Sequence, residues 1–262
     1  MQLENKPEYI DSHAHISGLK EGVKALINRA QQAHISHIIN ICTDIATLEE
    51  GLILASLYSW IHNAASTTPH DVVKEGEVVF PVIAQAARRG ALVAIGETGL
   101  DYYYERAPKK EQKKFLRRYL RLALECKLPV IIHCREAFVD LFAILDEEYV
   151  VGDKHAPGVL HCFTGTVAEA EGVIARGWYL SLSGIVTFKK SESLREVARV
   201  VPLEKLLIET DTPYLAPQSR RGKPNEPAYL PEIAAVIADL RGISIESLAA
   251  VTSQNARTLF RL

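Results

Sequence analysis

The sequence predicts an α/β fold, a (β/α)8 TIM barrel built as one domain over residues 1–262. Three observations predict it. Eight short runs rich in Val, Ile and Leu alternate with longer helix-compatible segments along the whole chain. Most of those runs lack polar alternation, which suits parallel strands buried on both faces. No linker, low-complexity tract or internal repeat divides the 262 residues, and barrels of roughly 250 residues commonly form a single domain. A doubly wound open sheet uses the same alternation, and periodicity does not separate the two.

The elements follow in order. The first strand is expected at YIDSHAHI (9–16), and HIINICT (37–43) and IHNAAST (61–67) supply the second and third. ALVAIGE (91–97) is the fourth, ending on Glu97 where two flanking glycines and three tyrosines (GETGLDYYY) announce a loop. EQKKFLRRYLRLALECK (111–127) reads as a helix, then PVIIHC (129–134) as the fifth strand and AFVDLFAILDEEY (137–149) as the next helix. GVLHCF (158–163), YLSLSGIV (179–186) and LLIET (206–210) complete the eight.

Composition narrows the function. The formal net charge is −2, with 48% hydrophobic and 24% charged residues, which gives no reason to expect a strongly basic nucleic-acid coat. No apolar run approaches the ~20 residues of a membrane span, and MQLENKPEY lacks the apolar core of a secretory signal. Cys42, Cys126, Cys134 and Cys162 lie inside apolar segments rather than in a spaced framework, so reduced thiols in a cytoplasmic protein are expected. Nothing points to an obligate protein partner, and a monomer is expected.

The unusual residues fall at strand ends. His13 and His15 close the first strand, Glu97 the fourth, His133 the fifth, His161 the sixth and Asp211 the eighth. In a parallel barrel these ends share one mouth, the face where barrel active sites lie. His13 and His15, two apart on a strand, project to the same side. Several imidazoles with carboxylates in one cavity form a ligand set for divalent ions such as zinc or manganese. The expected division places His13, His15 and Asp211 on one ion and His133 and His161 on the other. Glu97 bridges them, with ions ~3.5–4 Å apart as in two-metal sites. The bland reading of Glu97 is a helix N-cap or an ion pair with Arg135.

Seven motifs then carry a resemblance: DSHAHI (11–16), GETGLDYYY (96–104), PVIIHCRE (129–136), VLHCFTG (159–165), SLSGIVTFK (181–189), LLIETDTPYLAP (206–217) and RGKPNEP (221–227). In this order the chain resembles the TatD family of metal-dependent deoxyribonucleases. GETGLDYY and ETDTPYLAP are the specific signals, whereas an H-x-H alone is weak. The resemblance implies a metallo-dependent, amidohydrolase-type barrel with two divalent ions (Mg2+, Mn2+ or Zn2+). It further implies DNA as substrate and hydrolysis of its phosphodiester bonds, often from the 3′ end of a single strand. It carries the ligand roles onto His13, His15, Glu97, His133, His161 and Asp211. One departure is visible: many relatives have G-x-H-P after the third strand, whereas STTPHD (66–71) places Thr68 at that histidine, with His70 and Asp71 following Pro69.

The chemistry expected of such a site follows from phosphodiester hydrolysis. Paired divalent ions lower the pKa of bound water, providing hydroxide near neutral pH, and steady charge on attacking and leaving oxygens. Asp211 is the candidate to take the water's proton. Arg135 and Arg221 offer guanidinium forks for phosphate oxygens. Tyr102, Tyr103 and Tyr104 sit in the loop after Glu97, where one, with Tyr102 the candidate, can stack on a base. Three consecutive residues do not share a direction, so at least one is expected to pack inward, and His70 is a candidate for substrate handling. KKEQKKFLRRYLRL (109–122) repeats cations at helical spacing, either as a solvated outer face or as a backbone-binding one. The alternative is a binuclear hydrolase of a cyclic amide, lactone or aminoacyl ester, because barrel and ligands serve many chemistries.

Overall fold

The computed structural model describes residues 7–19, 22–104 and 106–262. Its strands are β1 (Tyr9–Ala14), β2 (Ile35–Cys42), β3 (Ile61–Ala65), β4 (Ala94–Asp101), β5 (Val130–Arg135), β6 (Val150–Val151), β7 (Lys154–His155), β8 (Gly158–Leu160), β9 (Tyr179–Leu182) and β10 (Leu206–Ile208). The short β6 and β7 pair with each other in an antiparallel hairpin. The other eight form one parallel sheet in the order β1-β2-β3-β4-β5-β8-β9-β10. A bridge from Ala14 to Thr212, beyond β10, brings its two edges together. The sheet is therefore a nearly closed barrel and not an open doubly wound sheet.

Around it run α1 (Val23–Gln32), α2 (Ile45–Leu57), α3 (Gly76–Arg88), α4 (Lys109–Cys126), α5 (Phe138–Glu148), α6 (Val167–Ala175), α7 (Glu192–Val200), α8 (Leu230–Arg241) and α9 (Ile245–Phe260). Strand alternation divides the apolar side chains into two cores. One lies between barrel and helices, and holds Ile38 of β2, Ile95 of β4 and Leu116 and Leu120 of α4. The other collects Ile10, Ile39, Ile41, Ala64, Ala94, Ile131, Val159 and Leu207 from seven strands, with Ala256, Leu259 and Phe260 of α9. That second core fills the barrel, and α9 stoppers it. Among the described residues no helix is long and apolar enough to cross a membrane.

One expectation changes here, and one pair of alternatives narrows. β4 does not end at Glu97 but continues to Asp101, after an irregularity in its pairing with β5 between Ile95 and Thr98. The glycines taken for a loop signal serve close approach instead. A Cβ on Gly96 would stand 2.5 Å from the Ile131 carbonyl oxygen, and one on Gly99 1.9 Å from that of His133. Only glycine lets β4 lie this tightly on β5, and that contact sets Glu97 beside His133 of β5.

The basic helix α4 is the second case. Its inner face packs Phe115, Leu116, Tyr119 and Leu120 into the core. Its outer cations are mostly neutralised: Lys113 pairs with Asp140 (2.7 Å), Lys114 and Arg118 with Glu77 (2.9 and 2.8 Å), and Arg117 and Arg121 with Glu148. Exposed pairs of this kind add little stability each, but they leave a charge-compensated face rather than a cationic track.

Candidate metal centre

β1 delivers His13, and His15 follows one residue beyond it. Two backbone hydrogen bonds hold the segment after β10 against them, Asp211 N–H to the His13 carbonyl (2.9 Å) and His15 N–H to that of Thr212 (2.8 Å). Asp11 reinforces this closure. Its fully buried carboxylate accepts the Thr210 N–H (3.0 Å) and hydroxyl (2.6 Å) and the His13 N–H (3.3 Å). Burial pushes the Asp11 carboxyl up to about 7, against the hydrogen bonds from Thr210. Asp211 itself sits at φ 60°, a left-handed conformation that aspartate tolerates better than most residues.

The six expected ligands converge, and Glu97 divides them. Its Oε2 lies 3.5 Å from His13 Nε2 and 3.6 Å from His15 Nε2. Those two nitrogens are 3.3 Å apart, and each is 3.6 Å from Asp211 Oδ1. Its Oε1 lies 3.0 Å from His133 Nδ1 and 2.9 Å from His161 Nε2. Glu97 is not an N-cap, and Arg135 lies instead against Tyr103 and Tyr104.

These distances test the fit to metal. A tetrahedral ion with nitrogen and oxygen bonds of ~2.0–2.2 Å requires donor atoms about 3.3–3.6 Å apart. His13 and His15 Nε2 lie 3.3–3.6 Å from each other, from Glu97 Oε2 and from Asp211 Oδ1. On the other side, the outer ring nitrogens are already engaged: His133 Nε2 with Asp101 Oδ2 at 2.8 Å, His161 Nδ1 with Glu209 Oε1 at 3.3 Å. Their inner nitrogens are left facing one carboxylate oxygen. Such carboxylate–histidine pairs fix ligand tautomers around metals. The residues fit divalent ions on both sides of Glu97.

In the ion-free protein, protons take up part of that role. Burial works against charge on His161, but the flanking Glu97 and Glu209 carboxylates outweigh it and hold the imidazole well above its ordinary value. His133 and His15 are raised in the same way by their carboxylate neighbours, against burial. His13, fully buried and stacked 3.8 Å from the His161 ring, falls to about 4 through burial and the neighbouring His161 charge. Burial alone would raise the Glu97 carboxyl, yet His161 and the hydrogen bonds from surrounding imidazoles drive it well below the usual carboxylate range.

Asp101 and Glu209 were not among the expected site residues. Both are acidic residues at or just beyond strand ends, the same signal that marks Glu97 and Asp211. In RGKPNEP, Asn225 Nδ2 donates to the Thr210 and Tyr214 carbonyls (2.7 and 2.8 Å), and Glu226 pairs with Arg29 at 2.6 Å. That motif braces the Asp211 segment. Cys134 packs in the core. Cys162 lies beyond β8, where strand alternation no longer applies; its N–H donates to Glu209 Oε1 (2.7 Å) and its thiol meets the Ser183 hydroxyl at 3.3 Å.

The substrate candidates separate. Tyr102 is not free to stack on a base: its hydroxyl donates to Asp140 (2.6 Å), and Lys109 lies 4.1 Å from its ring centroid. Tyr103 and Tyr104 are instead 52% and 50% exposed, with the Arg135 guanidinium 3.8 and 5.0 Å from their ring centroids. Arg221 lies over Phe188 at 4.4 Å. Thr68 donates to Asp71 (2.9 Å) within the turn, while His70 reaches Asp101 Oδ2 at 3.6 Å and meets the edges of His133 and Tyr104.

A parallel barrel with four imidazoles and two carboxylates gathered at one mouth defines a class of protein, the metal-dependent barrel hydrolases. Comparison with known proteins agrees. The chain belongs to the TatD related DNase family, whose model matches residues 10–261. It is 37% identical over 254 residues to an uncharacterized metal-dependent hydrolase, YabD of Bacillus subtilis, covering 96% of this chain and 98% of that one. It is also 37% identical over 240 residues to the 3′-5′ ssDNA/RNA exonuclease TatD of Citrobacter koseri, covering 90% and 91%. The crystal structure of YjjV, a TatD homologue from Escherichia coli, superposes with a TM-score of 0.90 at 29% identity, covering 97% and 98%.

Proposed function

We propose that this metal-dependent hydrolase cleaves phosphodiester bonds of single-stranded DNA from the 3′ end, with two divalent ions at the mouth of the barrel. The observation that carries the reading is Glu97, whose two oxygens face two separate groups of imidazoles. Two ions held there, by His13, His15 and Asp211 on one side of Glu97 and His133 and His161 on the other, would supply Lewis acidity, an activated water and compensation of charge on the attacking and leaving oxygens.

The chain's own residues do the rest. Glu97 holds the two donor sets in register. Asp211 faces the histidines through Oδ1, and its Oδ2 takes the proton of the attacking water. One P–O bond forms to that water oxygen, and the bond to the leaving sugar oxygen breaks, that oxygen taking its proton from solvent. Arg135, held on Tyr103 and Tyr104, binds a phosphate while the exposed tyrosine faces receive a base; stacking of this kind tolerates any base. Arg221 and His70 contact neighbouring parts of the strand. Membership of a family described as DNase and similarity to an enzyme named for ssDNA/RNA exonuclease action support this substrate.

The test is a substrate panel of end-labelled single- and double-stranded DNA, RNA, a lactone and a cyclic amide, incubated with Mg2+, Mn2+ or Zn2+. Single-stranded DNA should shorten from its 3′ end, and chelation should stop it. Intact DNA with every metal, alongside turnover of the lactone or amide, contradicts the reading.

A further inference from the structure

The four imidazoles do not face Glu97 alike. His13, His15 and His161 present Nε2, whereas His133 presents Nδ1. The outward nitrogen of His133 is therefore Nε2, and it meets a carboxylate that is 1% exposed, Asp101. The two oxygens of that carboxylate face different ways. Oδ2 lies 2.8 Å from His133 Nε2. Oδ1 accepts the backbone N–H groups of Tyr103 (3.0 Å) and Tyr104 (2.9 Å). The backbone around it is fixed as well, because the Gln112 side chain accepts the Asp101 N–H (2.8 Å) and donates to its carbonyl (2.9 Å).

We infer that Asp101 is a positioning residue that sets the tautomer of His133 and ties it to the turn carrying the exposed tyrosines. The inference rests on the two-ion reading above and names what keeps the His133 side competent. An acceptor at Oδ2 keeps the proton on Nε2, so Nδ1 offers its lone pair to an ion beside Glu97. Without that acceptor nothing selects this tautomer. The same carboxylate closes the Tyr103–Tyr104 turn, so the aromatic platform and a metal ligand share one anchor.

The geometry also dictates the outcome of a near-isosteric change. In Asp101→Asn, two backbone N–H groups still require an acceptor, which orients the amide oxygen toward Tyr103 and Tyr104. The amide nitrogen must then face His133 and donate to Nε2. The ring proton moves to Nδ1, where it occupies the lone pair that an ion needs. Loss of a partner behind a metal ligand typically weakens metal binding or activity roughly 10–100-fold.

The experiment has two readouts. Nitrogen-15 NMR of the ion-free protein, at alkaline pH where the ring is neutral, reports the His133 tautomer, assigned against His133→Gln. Zinc titration by calorimetry reports each affinity. Wild type should carry its proton on Nε2 and the variant on Nδ1, with one zinc affinity of the variant weakened roughly 10–100-fold and the other unchanged. An Nδ1–H tautomer in wild type overturns the inference without reference to any variant. So does an unmoved tautomer in Asp101→Asn, an unmoved pair of affinities, or an equal fall in both. If wild type binds a single zinc ion, the two-ion reading fails, and the tautomer comparison alone decides the role of Asp101.

Discussion

The two sides of the metal centre share Glu97 and differ in almost everything else. On the His13–His15–Asp211 side the two imidazole Nε2 atoms lie 3.3–3.6 Å from each other, from Glu97 Oε2 and from Asp211 Oδ1, held by the backbone bonds that join β1 to the segment after β10. Side-chain bracing is thin there, and His13 Nδ1 has no partner among the described residues. On the His133–His161 side only three donors meet, but a buried carboxylate backs each imidazole. Four protein donors close a tetrahedral site, whereas three leave a position open, the usual mark of a catalytic site. On the two-ion reading, one side is built by chain closure to hold an ion, the other by side-chain bracing to present an ion to a reactant.

Breaking the shared member should have the largest effect. Glu97→Ala removes the anion that separates two cations, so metal analysis should show loss from both sides and DNA turnover should fall to background. Full occupancy would remove the bridge from the account. Asp211→Asn should sharpen the contrast, because an amide oxygen still coordinates, more weakly, but accepts no proton. Single-turnover rates should drop on the order of 10²–10⁴, the worth of a positioned base, while much of the metal stays.

Acid should separate the sides. His133 and His161 both have raised pKa values in the ion-free protein, whereas on the other side His15 is raised and His13 falls to about 4. A raised imidazole holds its proton to higher pH, and an ion must displace it. As pH falls from above the ordinary imidazole value, the His133–His161 ion should therefore leave first, losing up to about a hundredfold in affinity per pH unit while two protons compete. Metal titrations across that range check the order, and simultaneous loss would erase the distinction.

Smaller effects lie at the rim. Arg135→Lys and Arg221→Lys keep the charge but lose the fork, so kcat/KM on DNA should fall about tenfold each, the worth of one charge-assisted hydrogen bond, with metal content unchanged. Least of all, Lys110→Glu on the compensated face of α4 should leave KM for long DNA within about twofold, as expected of an exposed charge. A larger change would return α4 to the substrate path.

The convergence of the six candidate ligands was legible because strand ends of a parallel barrel share a mouth, and histidine or acid at or near five of them is a pattern a sequence displays. The braces were not. Asp101 reads as part of a loop because the glycines around Glu97 suggest the end of a strand; their role, close approach of β4 to β5, depends on a neighbouring strand that the local sequence does not contain. Which of three consecutive tyrosines turns away was undecidable for the same reason. Asp140, which receives the Tyr102 hydroxyl, belongs to a helix one strand further along the barrel.

The most direct test of the central claim is anomalous diffraction from crystals grown with manganese or zinc. The account predicts two peaks about 3.5–4 Å apart on either side of Glu97, one among His13, His15 and Asp211, the other beside His133 and His161. A single peak, or two peaks that do not share Glu97, would contradict it.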